Sequence, residues 1–107
     1  MKLDPSGTVQ WAQVFGAANH ALAESALAID DSGTAYVTGL EHVGLRQTVF
    51  VASYDSTGVL SWQNTWNDAV GGSDESRCIA LTGATGLYIG GDFLRSDYTA
   101  ALIKYMP

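Results

Sequence analysis

The chain has 107 residues, of which 47% are hydrophobic and only 15% charged, a composition typical of one small folded domain and not of a disordered chain. Its net charge of −6 argues against binding to nucleic acid or to an anionic membrane surface, because both need many Lys and Arg side chains. The single cysteine excludes an internal disulfide, and no apolar run is long enough for a transmembrane helix or a signal peptide.

Short clusters of Asp, Ser, Thr and Gly divide the chain at residues 4–7, 30–33, 55–58 and 82–86. Each predicts a tight turn, because an initial Asp can accept a hydrogen bond from the backbone two residues on and Gly adopts positive φ. The runs between them are rich in Val, Ile, Thr and aromatic residues, which indicates short strands. The predicted strands are Thr8–Phe15, Glu24–Ile29, Thr34–Leu40, Arg46–Tyr54, Val59–Trp66, Ser76–Leu81, Gly86–Gly91 and Thr99–Tyr105.

The sequence repeats itself with a period of 51 residues. Residues 2–11 match residues 53–62, so that the first repeat covers about 3–53 and the second about 54–104, with an overlap at 105–107. Four short antiparallel strands per repeat at this period indicate β-propeller blades. The predicted fold is therefore all-β, with two four-stranded antiparallel blades in one unit over residues 1–107. An eight-stranded sandwich or barrel made by duplication is the alternative.

Residues 29–39 and 50–62 together resemble the bacterial β-propeller repeat known as the SBBP repeat. The shared features are an aliphatic residue, Asp and a Ser-Gly turn, then an aromatic residue, Val, Thr and Gly, and a Trp that ends the second half. The second repeat departs from this pattern at Thr82, which stands where the first has Asp30. The resemblance implies a propeller fold and an extracellular or cell-surface bacterial protein, and it implies no shared catalytic residues.

Two blades do not close a propeller, which typically has about four to eight. We expect the strand Thr8–Phe15 of one chain to complete the blade that another chain leaves open at Tyr105. Such head-to-tail association either closes a ring or continues as a filament. A homotrimer or homotetramer is the expected ring, and an excised piece of a longer secreted propeller is the alternative. The residues expected to close the ring are Val9, Trp11, Phe15, Leu102, Ile103 and Tyr105.

The longer predicted connections, at residues 16–23, 40–46, 67–75 and 92–98, lie on one rim and carry most of the acidic excess. Loops of this kind are where scaffold folds usually bind ligands. The candidate ligand-binding residues are Asn19, His20, Glu41, His42, Asn67, Asp68, Asp92, Arg95 and Asp97. The ligand would be a glycan or a protein.

No spacing typical of a metal site or a nucleophilic triad is present, and we expect no cofactor, no metal and no enzymatic activity. The tryptophans at equivalent strand positions predict core packing, and Cys78 on an inner strand predicts a small buried side chain. The sequence thus favours a structural or interaction module that assembles with copies of itself. A carbohydrate-binding, lectin-like propeller is the alternative.

Overall fold

A computed structural model describes residues 1–14, 20–66, 73–83, 86–94 and 98–105. These ranges contain only β-strands, which confirms the all-β class. They hold no helix that is long and apolar enough to cross a bilayer. The strands in chain order are β1 (Lys2–Leu3), β2 (Val9–Trp11), β3 (His20–Ile29), β4 (Ala35–Val43), β5 (Arg46–Tyr54), β6 (Leu60–Trp66), β7 (Asp74–Thr82), β8 (Gly86–Leu94) and β9 (Tyr98–Tyr105).

Every strand pairs antiparallel with at least one of its neighbours in the chain, and the pairs β2–β3 and β6–β7 are absent from the described chain, so that three sheets result. The hairpin is β1–β2, the first sheet has the order β3-β4-β5-β6, and the second sheet has the order β7-β8-β9. The hairpin pairs Lys2 with Trp11 and Leu3 with Val9. The same pairing, with the same shift in register, joins β5 to β6 at Ser53 with Trp62 and Tyr54 with Leu60. The hairpin therefore has the geometry of the β5–β6 connection, 51 residues earlier.

Three turns use one aspartate-based arrangement. In the β3–β4 turn, one carboxylate oxygen of Asp30 accepts hydrogen bonds from the backbone and hydroxyl of Ser32 and from the backbone of Thr34, at 2.6 to 2.9 Å. Asp4 and Asp55 hold the β1–β2 and β5–β6 turns in the same way. Gly7, Gly33 and Gly58 close these turns at φ of 83 to 87°, as predicted.

The main core lies between the first and second sheets, and we call it the inter-sheet core. Successive side chains of a strand point to opposite faces, so alternate residues of β4, β5 and β8 meet there. Its buried members are Tyr36, Val49, Val51, Leu87 and Ile89. Half-buried Trp62, Trp66, Ile79, Leu81, Ile103 and Tyr105 pack around them.

The opposite face of the first sheet carries a second cluster, of Ala35, Val37, Phe50, Ala52 and Tyr54, with Trp11 of the hairpin packed against it. Because both faces of the first sheet are covered, β5 is buried at every residue from Thr48 to Tyr54. This double coverage explains why β5 reads as a nearly continuous apolar run instead of an alternating one.

The structure corrects several sequence-based boundaries. The short strand β1 was not predicted, and the predicted strand Thr8–Phe15 is observed only at Val9–Trp11, with Phe15 outside the described residues. Strand β3 begins at His20, four residues before its predicted start. The predicted connection at 40–46 is a tight turn at Gly44 and Leu45, because β4 and β5 continue to Val43 and from Arg46.

Cys78 was expected to be buried, and it is exposed. It lies on β7 directly opposite Gly90, where the first sheet pairs Ala26 with Thr38. Both pairs follow a β-bulge at the same point of the strand. In the first sheet the larger residue of the pair lies on β4, whereas in the second sheet it lies on β7. The larger side chain thus lies on β7, at a position that no described part of the chain covers.

Candidate functional site

The predicted ligand-binding rim is only partly described. Five of its residues lie outside the described ranges, and these are Asn19, Asn67, Asp68, Arg95 and Asp97. His20 begins β3, where it pairs with Val43. Glu41 and His42 lie on β4 and Asp92 on β8, and so belong to strands and not to the long loops in which they were predicted.

Glu41, His42 and Asp92 are half-buried, and the side chains of His42 and Asp92 contact their neighbours. His42 Nε2 lies 3.3 Å from the amide nitrogen of Gln47, the residue directly opposite it on β5. Asp92 accepts a 2.8 Å hydrogen bond from Arg77, and Arg77 also lies 3.2 Å from Glu75. Asp92 first, and then Glu75, raise the pKa of Arg77. In the part of the chain that the structure describes, no group of three or more His, Cys, Asp or Glu residues could hold a metal ion.

The most distinctive geometry is an aromatic contact that occurs twice. Trp62 of the first sheet stacks on Tyr105 of the second, with ring centroids 6.2 Å apart and planes 24° apart. Trp11 of the hairpin stacks on Tyr54 of the first sheet at 6.5 Å and 29°. Both members are shifted by 51 residues. The hairpin thus sits on the first sheet as the first sheet sits on the second.

The hairpin is fixed to the β5–β6 turn by polar contacts to two backbone carbonyls. The Trp11 indole and the Lys2 ammonium donate to the Ser56 oxygen at 3.1 and 3.3 Å, and the Gln13 amide donates to the Gly58 oxygen at 2.7 Å. The Trp11 ring also fills the space beside Gly58, where a Cβ atom would come within 2.7 Å of it. These contacts set the position of the indole beside the β5–β6 turn.

A groove of about 250 Å³ opens beside this indole, and we call it the hairpin groove. Leu27 and Ile29 on β3 form its floor and are 58% and 61% exposed. They correspond, 52 residues earlier, to Ile79 and Leu81, which pack against the inter-sheet core. The remaining lining residues are Met1, Lys2, Leu3, Trp11, Gly33 and Ala35.

The far face of the second sheet, which we call the outer face, is also apolar in part. Leu102 is 70% exposed there, whereas Val51, its equivalent in the first sheet, is fully buried in the inter-sheet core. Tyr88 on the same face corresponds to buried Tyr36, and the Lys104 ammonium lies 5.5 Å from the centre of its ring. In the described chain no strand pairs with the free edge of β9.

The residues predicted to close a ring fall into two groups. Val9 and Leu102 are exposed, while Trp11, Ile103 and Tyr105 are half-buried in contacts between the sheets of one chain. Phe15 lies outside the described residues. Sequence reasoning missed Leu27, Ile29 and Tyr88, although their equivalence to core residues 52 residues away could have indicated them.

No family model, no curated protein and no solved structure matches this chain.

Proposed function

We propose that this chain is a structural building block, a pair of propeller-type blades that associates head-to-tail with copies of itself. The observation that carries the proposal is an equivalence between core residues and exposed apolar residues. Tyr36 and Val51 of the inter-sheet core correspond to Tyr88 and Leu102 on the outer face, and Ile79 and Leu81 correspond to Leu27 and Ile29 in the floor of the hairpin groove. The resemblance of residues 29–39 to an SBBP repeat supports the same reading.

The core provides the pattern for the expected contact. Within one chain, Tyr36 and Val51 of the first sheet belong to the buried cluster against which Ile79 and Leu81 of the second sheet pack. Shifting the first pair forward by one repeat gives Tyr88 and Leu102, and shifting the second pair back gives Leu27 and Ile29. If the outer face of one copy meets the hairpin groove of the next, the four side chains repeat the contact already made inside the chain.

Tyr88 is the expected anchor of this contact. Its equivalent Tyr36 lies against Trp62, with ring centroids 6.3 Å apart, and Trp62 stacks in turn on Tyr105. Trp11 already makes the second of these contacts, with Tyr54, and lines the hairpin groove. Tyr88 of one copy would enter the groove beside Trp11 of the next and complete the same row of three rings.

Burial of these side chains gives the association a driving force. Covering a large aliphatic side chain contributes about 1.5 to 3 kcal/mol when burial is complete. Leu27, Ile29 and Leu102 each expose more than half of their surface, and adjacent exposed apolar residues on sheets favour association. A contact of this kind repeats from copy to copy, and a ring of three or four chains is the closed form that we expect.

Light scattering coupled to size exclusion tests the proposal. The protein is expected at three or four times its chain mass of 11.3 kDa. Leu102→Asp should give a monomer, because it places a charge in the proposed contact. Leu45→Asp is the matched control, since Leu45 is fully exposed at the β4–β5 turn, away from both surfaces, and this variant should assemble as the parent does. A parent protein that is monomeric at every concentration would overturn self-assembly and leave both surfaces to neighbouring blades of a longer chain.

A further inference from the structure

We infer that association exchanges strands: β9 of one copy pairs with residues 9–14 of the next and displaces Lys2 and Leu3 from them. The inference rests on the proposed function and adds to it the residues that pair and a local rearrangement. Its basis is the pairing register of β5 with β6 and the edge of β9 that has no partner strand in the described chain.

The hairpin and the second sheet duplicate one position of the repeat. Lys2 and Leu3 of β1 correspond to Ser53 and Tyr54 of β5, as their pairing with β2 demonstrates. The same position in the second sheet is held by Lys104 and Tyr105 at the end of β9. If the next copy stacks on the second sheet as the first sheet stacks on it, both segments would occupy the same space. One of them must leave.

The anchoring of the two segments decides which one leaves. Lys104 and Tyr105 pair with Tyr88 and Leu87 on β8, and Tyr105 also stacks on Trp62 in the core. Lys2 and Leu3 are exposed and pair over only two residues, in a two-stranded ribbon of the kind that is marginally stable by itself. The Lys2 ammonium adds one 3.3 Å hydrogen bond to the Ser56 oxygen, at an exposed site. Displacement of β1 therefore costs much less than displacement of the end of β9.

The exchange also satisfies an unpaired edge. The outer edge of β9 presents backbone N–H and C=O groups with no partner strand in the described chain, and such edges tend to recruit another strand. The observed pairs of β5 with β6 predict the new pairs when the β5 residue is moved forward by 51 residues and the β6 residue is moved back by 51. They are Tyr105 with Val9, Lys104 with Trp11, Ile103 with Ala12, Leu102 with Gln13 and Ala101 with Val14.

Strand pairing also adds to the stability of the assembly. Association of two proteins costs about 4 to 15 kcal/mol in lost freedom of motion, which three aliphatic side chains alone barely offset. The two pairs of β1 with β2 would be exchanged for at least five pairs with β9. Each hydrogen bond gained makes a net contribution of about 0.5 to 1.5 kcal/mol to the stability of the assembly. The strand contact and the side-chain contact thus support one another.

Disulfide trapping tests the predicted register in the full chain. In a Cys78→Ala background, Leu102→Cys with Gln13→Cys should form a bond between copies under mild oxidation, visible as covalent multimers on a non-reducing gel. Leu102→Cys with Gln10→Cys is the control, because residue 10 is three residues away along the strand and about 10 Å out of register. This control should stay uncoupled.

The outcomes separate this inference from the proposed function. An oligomer in which only the Leu102→Cys, Gln13→Cys variant forms the disulfide between copies supports both strand exchange and the proposed function. An oligomer without that coupling, or with equal coupling in the control, overturns strand exchange and leaves the building-block proposal standing. A monomer overturns both. If the cysteine variants fold poorly, hydrogen exchange on the parent decides, since the amides of residues 12–14 and of β9 should gain protection when the oligomer forms.

Displacement of β1 has its own test. Leu3→Pro removes a backbone donor from β1 and disfavours its pairing, so the concentration needed for half-assembly should fall about tenfold if one to two competing hydrogen bonds are lost. Leu3→Thr keeps the donor and the strand preference and serves as the control for the lost leucine. Equal assembly of the two variants, or weaker assembly of Leu3→Pro, would contradict displacement.

Discussion

Trp62 stacks on Tyr105 across the boundary between the first and second sheets, where both rings pack against the inter-sheet core. The chain crosses this boundary only once, between β6 and β7. Apart from one isolated parallel bridge between Gln47 on β5 and Ser73, the described parts of the two sheets are held together by side-chain packing. Trp62 also contacts Tyr36 on its own sheet, and so it joins both sides of the inter-sheet core.

Replacing Trp62 by Ala should lower the free energy of unfolding by about 3 kcal/mol, at the lower end for such a change because the ring is half-buried. Trp11→Ala is the matched comparison. It removes the equivalent ring from the hairpin, where little structure lies beyond it, and should cost less. Urea unfolding followed by circular dichroism measures both. Equal losses would contradict the view that Trp62 holds two sheets together while Trp11 holds only the hairpin.

Glycines at equivalent turn positions provide a test of the hairpin contact. Gly58 and Gly7 have the same φ of 87°, but a Cβ atom at Gly58 would meet the Trp11 ring at 2.7 Å, whereas one at Gly7 would meet nothing within 4 Å. Both Ala variants carry the cost of left-handed backbone, about 1 to 2 kcal/mol. Gly58→Ala should lower the free energy of unfolding by more than Gly7→Ala does, and it should also shift the Trp11 fluorescence. The same loss in both would mean that the indole moves aside freely.

The cross-strand pair of Cys78 and Gly90 leads to a double-mutant prediction. A Cβ atom at Gly90 would lie 2.8 Å from the Cys78 sulfur, so Gly90→Ala should destabilise the second sheet. Cys78→Ala should relieve that clash and restore most of the loss, with a coupling energy of about 0.5 to 3 kcal/mol for residues in contact. Thermal unfolding of the parent, both single variants and the double variant measures it. Additive effects would show that the two side chains do not share this space.

The sequence predicted the all-β class and the three turns that begin with Asp, because both depend on local chemistry. In the part of the chain that the structure describes, the two predicted four-stranded blades are a hairpin, a four-stranded sheet and a three-stranded sheet. The three turns that begin with Asp are set by hydrogen bonds within five residues, and alternating side chains mark most strands. It did not predict β1, whose pairing is visible only by comparison with Ser53 and Tyr54 in the repeat. The exposure of Leu27 and Cys78 was also missed, because it depends on which sheet faces are covered and not on the strand itself.

Stability should fall in acid through the three turn aspartates. The hydrogen bond from the Ser32 hydroxyl, followed by those from the backbone amides of Thr34 and Ser32, lowers the pKa of Asp30 below its ordinary value of 3.8. Equivalent hydrogen bonds lower the pKa values of Asp4 and Asp55. A carboxylate whose pKa is lower in the folded protein stabilises it above the ordinary value. That stabilisation is lost as the pH falls from 3.8 through the lowered pKa.

Asp30→Asn should therefore be less stable than the parent at pH 7, and the two urea midpoints should converge as the pH falls well below 3.8. Asparagine keeps an acceptor oxygen at the same place, so the variant removes the charge and leaves the turn geometry available. The Tyr36 hydroxyl, which donates to Asp30 at 3.2 Å, would lose a charged acceptor as well. Asp31→Asn, which removes an exposed carboxylate one residue along, is the control, and its midpoint at pH 7 should equal that of the parent. A constant offset between parent and Asp30→Asn down to strong acid would assign the effect to shape and not to charge.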